Sequence, residues 1–105
     1  MNMTFTDKTK QAAEQFILLE QTEKQLEEVL GESSGLVEAR WDRTEDARGR
    51  SVYVLSLKDS FGEVSGHFAP TELQSPNQID FRLYRLWGDL LGAQTKKLLQ
   101  EIAGH

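Results

Sequence analysis

The side chain best suited to acid–base chemistry is His67, because a histidine changes its charge near neutral pH. It is the single histidine of the sequence apart from the last residue, and it lies in a segment of alternating polar and apolar residues. A general base needs a nucleophile or a carboxylate within reach, and Glu38 and Ser65 are the candidates on the same predicted surface. One histidine without thiols supplies too few ligands for a metal ion. We therefore expect His67 to be solvated rather than catalytic.

The remaining chemistry-bearing residues form no catalytic or cofactor motif. The sequence has no cysteine, which excludes disulfides, thiolate catalysis and iron–sulfur clusters. The pairs Glu27-Glu28 and Glu45-Asp46 are sequence neighbours, so they do not face each other as the two carboxylates of a glycosidase do. The glycines match neither the dinucleotide-binding nor the phosphate-loop pattern. The sequence therefore predicts a protein that is not an enzyme and carries no cofactor or metal.

Two glycines four positions apart, Gly88 and Gly92, lie inside a predicted helix. Each costs about 1 kcal/mol relative to alanine in a helix interior. One interpretation is the close approach of another helix or of the sheet, because glycine has no Cβ. The other is a kink or a break of the helix near Trp87. The membrane form of this motif does not apply, because the charged Arg85 and Asp89 lie beside it.

The composition is that of a soluble globular chain and limits its partners. The 105 residues are 38% hydrophobic and 28% charged, and the net charge is −5. This charge disfavours binding to nucleic acid and to anionic lipid. The longest apolar run, residues 16–19, is too short to cross a membrane, and residues 1–10 show no signal-peptide pattern. We expect a cytoplasmic protein with one domain over residues 1–105 and no membrane contact.

The first element that positions these residues is a helix over residues 7–30. Its predicted core side carries Ala12, Phe16, Leu19, Leu26 and Leu30, with Ala13, Ile17 and Val29 beside them. Thr6 is the expected N-cap, and Gly31 is expected to end the helix.

A second helix is predicted to begin after Ser75, with Pro76 at its first position and Gln78 completing a capping box. Gly104 is expected to cap its end. The apolar residues of this helix form one wide stripe, which consists of Ile79, Leu83, Leu86, Trp87, Leu90, Leu91, Leu98 and Ile102.

Three strands are predicted between the helices, over residues 36–43, 51–58 and 63–69, because apolar and polar residues alternate there. Both connections are short, which favours antiparallel pairing in sequence order. The sequence thus predicts an α+β fold of order α-β-β-β-α, a three-stranded antiparallel meander with two long helices on one face.

Such helices are too long for so small a sheet, and this mismatch suggests a homodimer. We expect their C-terminal ends to meet each other, through Leu26, Val29 and Leu30 on one helix and Leu98, Leu99 and Ile102 on the other. A second chain would cover what remains. The alternative is a compact monomer with frayed helix ends. The candidate interaction surface consists of Arg40, Val52, Val54, Ser65, His67, Gly88, Gly92, Leu98 and Ile102.

Three functions follow as hypotheses. The first is a non-enzymatic, self-associating interaction module, either a homodimer or bound to a different protein that the sequence leaves unknown. The second is a small-ligand-binding domain or enzyme that uses the outer sheet face around His67. The third is a nucleic-acid binder, because the element order resembles that of double-stranded-RNA-binding domains. The third is disfavoured, because residues 75–80, at the start of the second helix, contain no lysine.

Overall fold

The computed structural model describes residues 2–103 and contains the three predicted central strands. The first is shifted by two residues relative to the predicted range 36–43, because Leu36 belongs to a 3₁₀ helix, and the third ends one residue earlier than predicted. Strands β2 (Glu38–Glu45), β3 (Ser51–Lys58) and β4 (Glu63–Phe68) are antiparallel neighbours in sequence order. Most of their inward side chains are buried, and none of their outward side chains is; the buried ones are Ala39, Trp41, Tyr53, Leu55, Leu57 and Phe68. The predicted α+β class and the order of these three strands are therefore confirmed.

The prediction of a purely antiparallel, three-stranded sheet is wrong, because a fourth strand joins the edge. Strand β1 (Asn2–Phe5) pairs in parallel with β2, with Asn2 opposite Glu38 and Phe5 opposite Trp41. A parallel pair needs a long crossover, and the helical segment after β1 supplies it. Four residues of alternation are too short to separate a strand from an irregular segment, so the sequence pattern did not reveal β1.

The predicted helix over residues 7–30 is two helices, α1 (Asp7–Lys10) and α2 (Ala13–Leu30). The backbone of Ala12 is not helical, with φ −97° and ψ 81°. Thr6 does precede α1, but its hydroxyl does not cap the helix; it donates to Oδ1 of Asp42 at 2.8 Å. The break lets the chain turn from the sheet edge into the helix layer.

The buried side of α2 is narrower than predicted. Leu19, Leu26 and Leu30 are buried, but Ala13 is exposed and Ile17 is 57% exposed. Gly31 ends α2 as expected, with φ +57°, a backbone conformation that favours glycine.

A buried polar contact joins α2 to the sheet. Trp41 Nε1 donates to the Thr22 hydroxyl at 3.1 Å, and this hydroxyl donates to the Leu19 carbonyl at 2.6 Å. The side-chain polar atoms of Trp41 and Thr22 are thereby satisfied, as burial requires.

The second predicted helix is α3 (Pro76–Ala103), which continues through Gly88 and Gly92, so the predicted alternative of a break near Trp87 is wrong. Within residues 2–103 the side chains of Ser75 and Gln78 make no hydrogen bond, so the predicted capping box does not form. Gly104, the predicted cap, lies outside the described residues.

The wide apolar stripe predicted for α3 is divided by the structure into a buried part and an exposed part. Ile79, Leu83, Leu86 and Leu90 are buried in the core. Trp87 is half-buried, and the three residues Leu91, Leu98 and Ile102 are exposed. None of the helices within residues 2–103 is long and apolar enough to span a membrane.

Three contacts fix α3 on the inner face of the sheet. The Arg82 guanidinium stacks over the Phe68 ring, at 4.0 Å from its centroid, and bonds to Glu72 and to the His67 carbonyl. Leu86 packs directly on Gly66, where an added Cβ would lie 3.2 Å from both δ-methyl groups. Further along, Gln94 bonds to Asp59 in the turn between β3 and β4.

Replacing Gly66 by valine should destabilise the fold, although valine favours strands, because its side chain would displace Leu86. We expect the free energy of unfolding in urea to fall by about 1–3 kcal/mol. The matched control is Ser65→Val on the opposite face of the same strand, which should change it by less than about 0.5 kcal/mol.

The double variant Gly66→Val/Leu86→Ala checks the cause. If Leu86 is the obstacle, the double variant loses less stability than the sum of the single variants. If the losses of stability are additive, the contact with Leu86 is not what excludes a larger side chain at residue 66.

Candidate interaction surfaces

The predicted interaction residues fall on two separate surfaces. Arg40, Val52, Val54, Ser65 and His67 lie on the outer sheet face, and Gly88, Gly92, Leu98 and Ile102 lie on α3. The helices pack on the inner face, as the contact of Leu86 with Gly66 shows. The two groups of residues therefore face opposite sides of the protein, and the structure does not unite them in one site.

The outer sheet face holds a shallow hollow of about 420 Å³. In the sheet register Arg40 is opposite Ser56, and Ser56 is opposite Ser65. His67 is opposite Val54, but it does not line the hollow. The lining residues are Asn2, Thr4, Glu38, Ala39, Arg40, Asp42, Val54, Ser56, Lys58 and Glu63.

The charges of this hollow are mixed and largely compensated. Lys58 is opposite Glu38 on one side and Glu63 on the other. Glu38, Arg40, Lys58 and Glu63 are all exposed. The described part of the chain contains no cluster of three or more residues that could hold a metal ion. This face has the character of a solvated sheet surface.

Asp42, on this face, has a carboxyl group whose pKa its surroundings lower. The hydroxyl of Thr6 donates to the Asp42 carboxylate, and this hydrogen bond does most to lower the pKa of Asp42. The Arg43 amide, at 2.8 Å, and the nearby charges of Arg40 and Lys8 lower the pKa further, against the effect of partial burial. The carboxylate thus joins the end of β1 to β2.

The second surface is the side of α3 that faces away from the core. It carries an uninterrupted row of exposed residues at alternating spacings of three and four. We call this row the α3 stripe; it consists of Phe81, Tyr84, Gly88, Leu91, Thr95, Leu98 and Ile102. The exposed fractions of its large members are 69% for Phe81, 57% for Tyr84, 40% for Leu91, 47% for Leu98 and 71% for Ile102.

The C-terminal part of α3 extends beyond the sheet. Its last contacts with the sheet turn are Ala93 near Gly62, Gln94 with Asp59, and the Lys97 ammonium over the Phe61 ring. All side chains of residues 98–103 are exposed.

The predicted meeting of the two helix ends is wrong. Leu26, Val29 and Leu30 of α2 are enclosed in the core of the subunit itself. Leu98, Leu99 and Ile102 of α3 are exposed, and Leu99 is 60% exposed. Only one of the two helices therefore carries an uncovered apolar end.

Neither glycine inside α3 is closely approached by another part of the same subunit. A Cβ added at Gly88 or at Gly92 would meet no atom within 4 Å. Gly88 lies on the α3 stripe, and Gly92 lies beside it, next to Leu99 in a shallow groove. The predicted approach of the sheet or of a helix from the same subunit is therefore wrong for both glycines.

Sequence reasoning missed Phe81 and Tyr84 as surface residues. Phe81, Tyr84, Gly88 and Leu91 follow one another at spacings of three, four and three residues. This periodicity was the signal in the sequence from which the exposed row could have been predicted. It was hidden because Leu83, Leu86 and Leu90 follow a second, parallel row on the buried side.

Comparison of the chain with protein-family models, with curated proteins and with solved structures gives no match.

Acid should weaken the link between β1 and β2 through Asp42. Because its pKa is lowered in the folded protein, its contribution to stability is complete above the unfolded pKa of about 3.9 and is lost as the pH falls through the lower folded pKa. We expect the melting temperature of the wild type to approach that of Asp42→Asn as the pH falls from about 5 to about 2. A difference between the two proteins that stays constant over this range would contradict the assignment.

Proposed function

We propose that this protein is a non-enzymatic interaction module that associates with itself, and that a second copy packs on the α3 stripe. The observation that supports this proposal is the continuous row of exposed apolar and small residues from Phe81 to Ile102. Exposed single apolar residues are normal on protein surfaces, but a contiguous row along a helix is typical of a binding surface.

The periodicity of the stripe fits a helix as its occupant. Alternating spacings of three and four average 3.5 residues, which is the repeat of a helix seam in a coiled coil. The stripe spans residues 81–102, about 32 Å of helix at 1.5 Å per residue. A second helix of the same length and with the same surface can cover it, and α3 of another copy has both properties.

The exposed apolar area of the stripe approaches that of a small specific interface. The large side chains of the stripe and Leu99 together expose about 600 Å² per copy, taking roughly 180 Å² for each such side chain when fully free. Two copies would bury about 1,200 Å², which reaches the lower end of specific interfaces. A symmetric dimer uses the same patch twice, so one exposed surface per chain is enough.

The alternatives have weaker support. Ligand binding or catalysis on the outer sheet face would rest on a hollow whose charged side chains, apart from the half-buried Asp42, are exposed and largely compensated. Nucleic-acid binding is disfavoured by the net charge of −5 and by the absence of lysine from residues 75–80, at the start of α3. A cytoplasmic location fits a chain without cysteine and remains part of the proposal.

Charge on the α3 stripe should prevent self-association without unfolding the subunit. We expect Leu91→Lys to weaken the dimer at least tenfold, because each copy buries its charged side chain in the pair. Sedimentation equilibrium over a wide concentration range measures the dissociation constant. Circular dichroism checks that each variant still folds.

The matched control is Ile17→Lys on α2, an apolar residue that lies off the stripe and is more exposed than Leu91, at 57% against 40%. It should leave the dissociation constant unchanged. A wild-type protein that remains monomeric at every concentration would refute the proposal. If the Ile17→Lys variant dissociates as readily as Leu91→Lys, the assignment of the interface to the α3 stripe is contradicted.

A further inference from the structure

We infer that the two copies pair with their α3 helices parallel and in register, with Asp80 of each copy beside Arg85 of the other. This inference rests on the proposed function and deepens it, because it names the arrangement of the second copy. The support comes from the charged and bulky residues on the two flanks of the α3 stripe.

The heptad positions of α3 define these flanks. Phe81, Gly88, Thr95 and Ile102 take the first core position of the repeat, and Tyr84, Leu91 and Leu98 take the second. One flank then carries Asp80, Trp87, Gln94 and Glu101, and the other carries Gln78, Arg85, Gly92 and Leu99. In a coiled coil these flanking positions set the partner and the orientation.

Parallel pairing places opposite charges together. A residue on the first flank then meets the residue five positions later on the other copy, so Asp80 meets Arg85. Both residues are exposed, and within residues 2–103 neither makes an ion pair in its own subunit. Because the dimer is symmetric, this pair forms twice.

A second pair of flanking positions also fits. Trp87 is half-buried and packs partly against the core of its own subunit. The same offset places the remaining, uncovered part of its side chain beside Gly92 of the other copy, where the surface groove next to Leu99 is open. In this arrangement the absence of a side chain at Gly92 leaves room for the indole. It gives this glycine, which has no close contact inside the subunit, a role between subunits.

Antiparallel pairing brings like charges together. With the helices crossing at Leu91, residues of the same flank face each other, and Asp80 then lies beside Glu101 of the other copy. The arrangement also leaves Arg85 beside the apolar Leu99. Both ends of the dimer would carry this repulsion, which the parallel arrangement avoids.

Single cysteines test the orientation, because the natural chain has none. In the parallel pair the two copies of residue 98 are adjacent, so Leu98→Cys should form a disulfide-linked dimer under mild oxidation. In the antiparallel pair they are about 21 Å apart along the helix, far beyond the reach of a disulfide. Leu91→Cys is the positive control, since residue 91 faces its own copy in either orientation, and Ile17→Cys reports random collisions.

The outcomes separate the orientation from self-association itself. Rapid cross-linking of both Leu98→Cys and Leu91→Cys, well above Ile17→Cys, supports the inference. Cross-linking of Leu91→Cys alone overturns the parallel arrangement and leaves the proposed function in place. If neither variant exceeds Ile17→Cys, both the inference and the proposed function fail.

Charge reversal tests the pair without oxidation. We expect Asp80→Lys or Arg85→Glu alone to raise the dissociation constant roughly tenfold at low salt, and the double variant to return it to within about threefold of the wild type. Added salt should reduce these differences. Tighter association of Asp80→Lys alone would indicate that residue 80 faces Glu101, which would overturn the parallel arrangement.

Discussion

The length of α3 relative to the sheet is the constraint on which this structure depends. A helix of 28 residues is about 42 Å long, whereas the eight-residue strands extend about 26 Å. The described residues accordingly reach 50 Å along their longest axis. The sheet can cover α3 only as far as the turn that carries Asp59, and residues 98–103 extend past it. Apolar residues nevertheless lie on this uncovered part, among them Leu98, Leu99 and Ile102.

The rotation of α3 is as important as its length. Arg82 over Phe68 and Leu86 on Gly66 allow one orientation of the helix on the sheet. Once Leu86 and Leu90 point inward, the period of the helix directs Tyr84, Leu91 and Leu98 away from the core. The packing that stabilises the subunit therefore also determines which surface it presents. A substitution that turned the helix would alter the core and the outer surface together.

The sequence predicted those elements whose periodicity is long and clear. Strand β3 and the buried row of α3 agree with the pattern, since Tyr53, Leu55 and Leu57 alternate and Leu83, Leu86 and Leu90 recur at helical spacing. Strand β1 was not predicted, because it is short and its pairing partner lies more than thirty residues away in the sequence. The exposed row of α3 was not predicted for another reason. In the sequence, the buried row and the exposed row of this helix form a single wide apolar stripe, and only the position of the sheet shows which of the two is buried. The outer-face residues Arg40 and His67 do share a surface, as the alternation of their strands predicted.

Hydrogen exchange of the α3 amides at several protein concentrations tests the central claim most directly. If a second copy covers the uncovered end of the helix, exchange in residues 98–103 should slow as the concentration rises through the dissociation constant. The amides around Ile17, on the exposed side of α2, should exchange at one rate throughout. Exchange at residues 98–103 that is equally fast at every concentration would contradict the account.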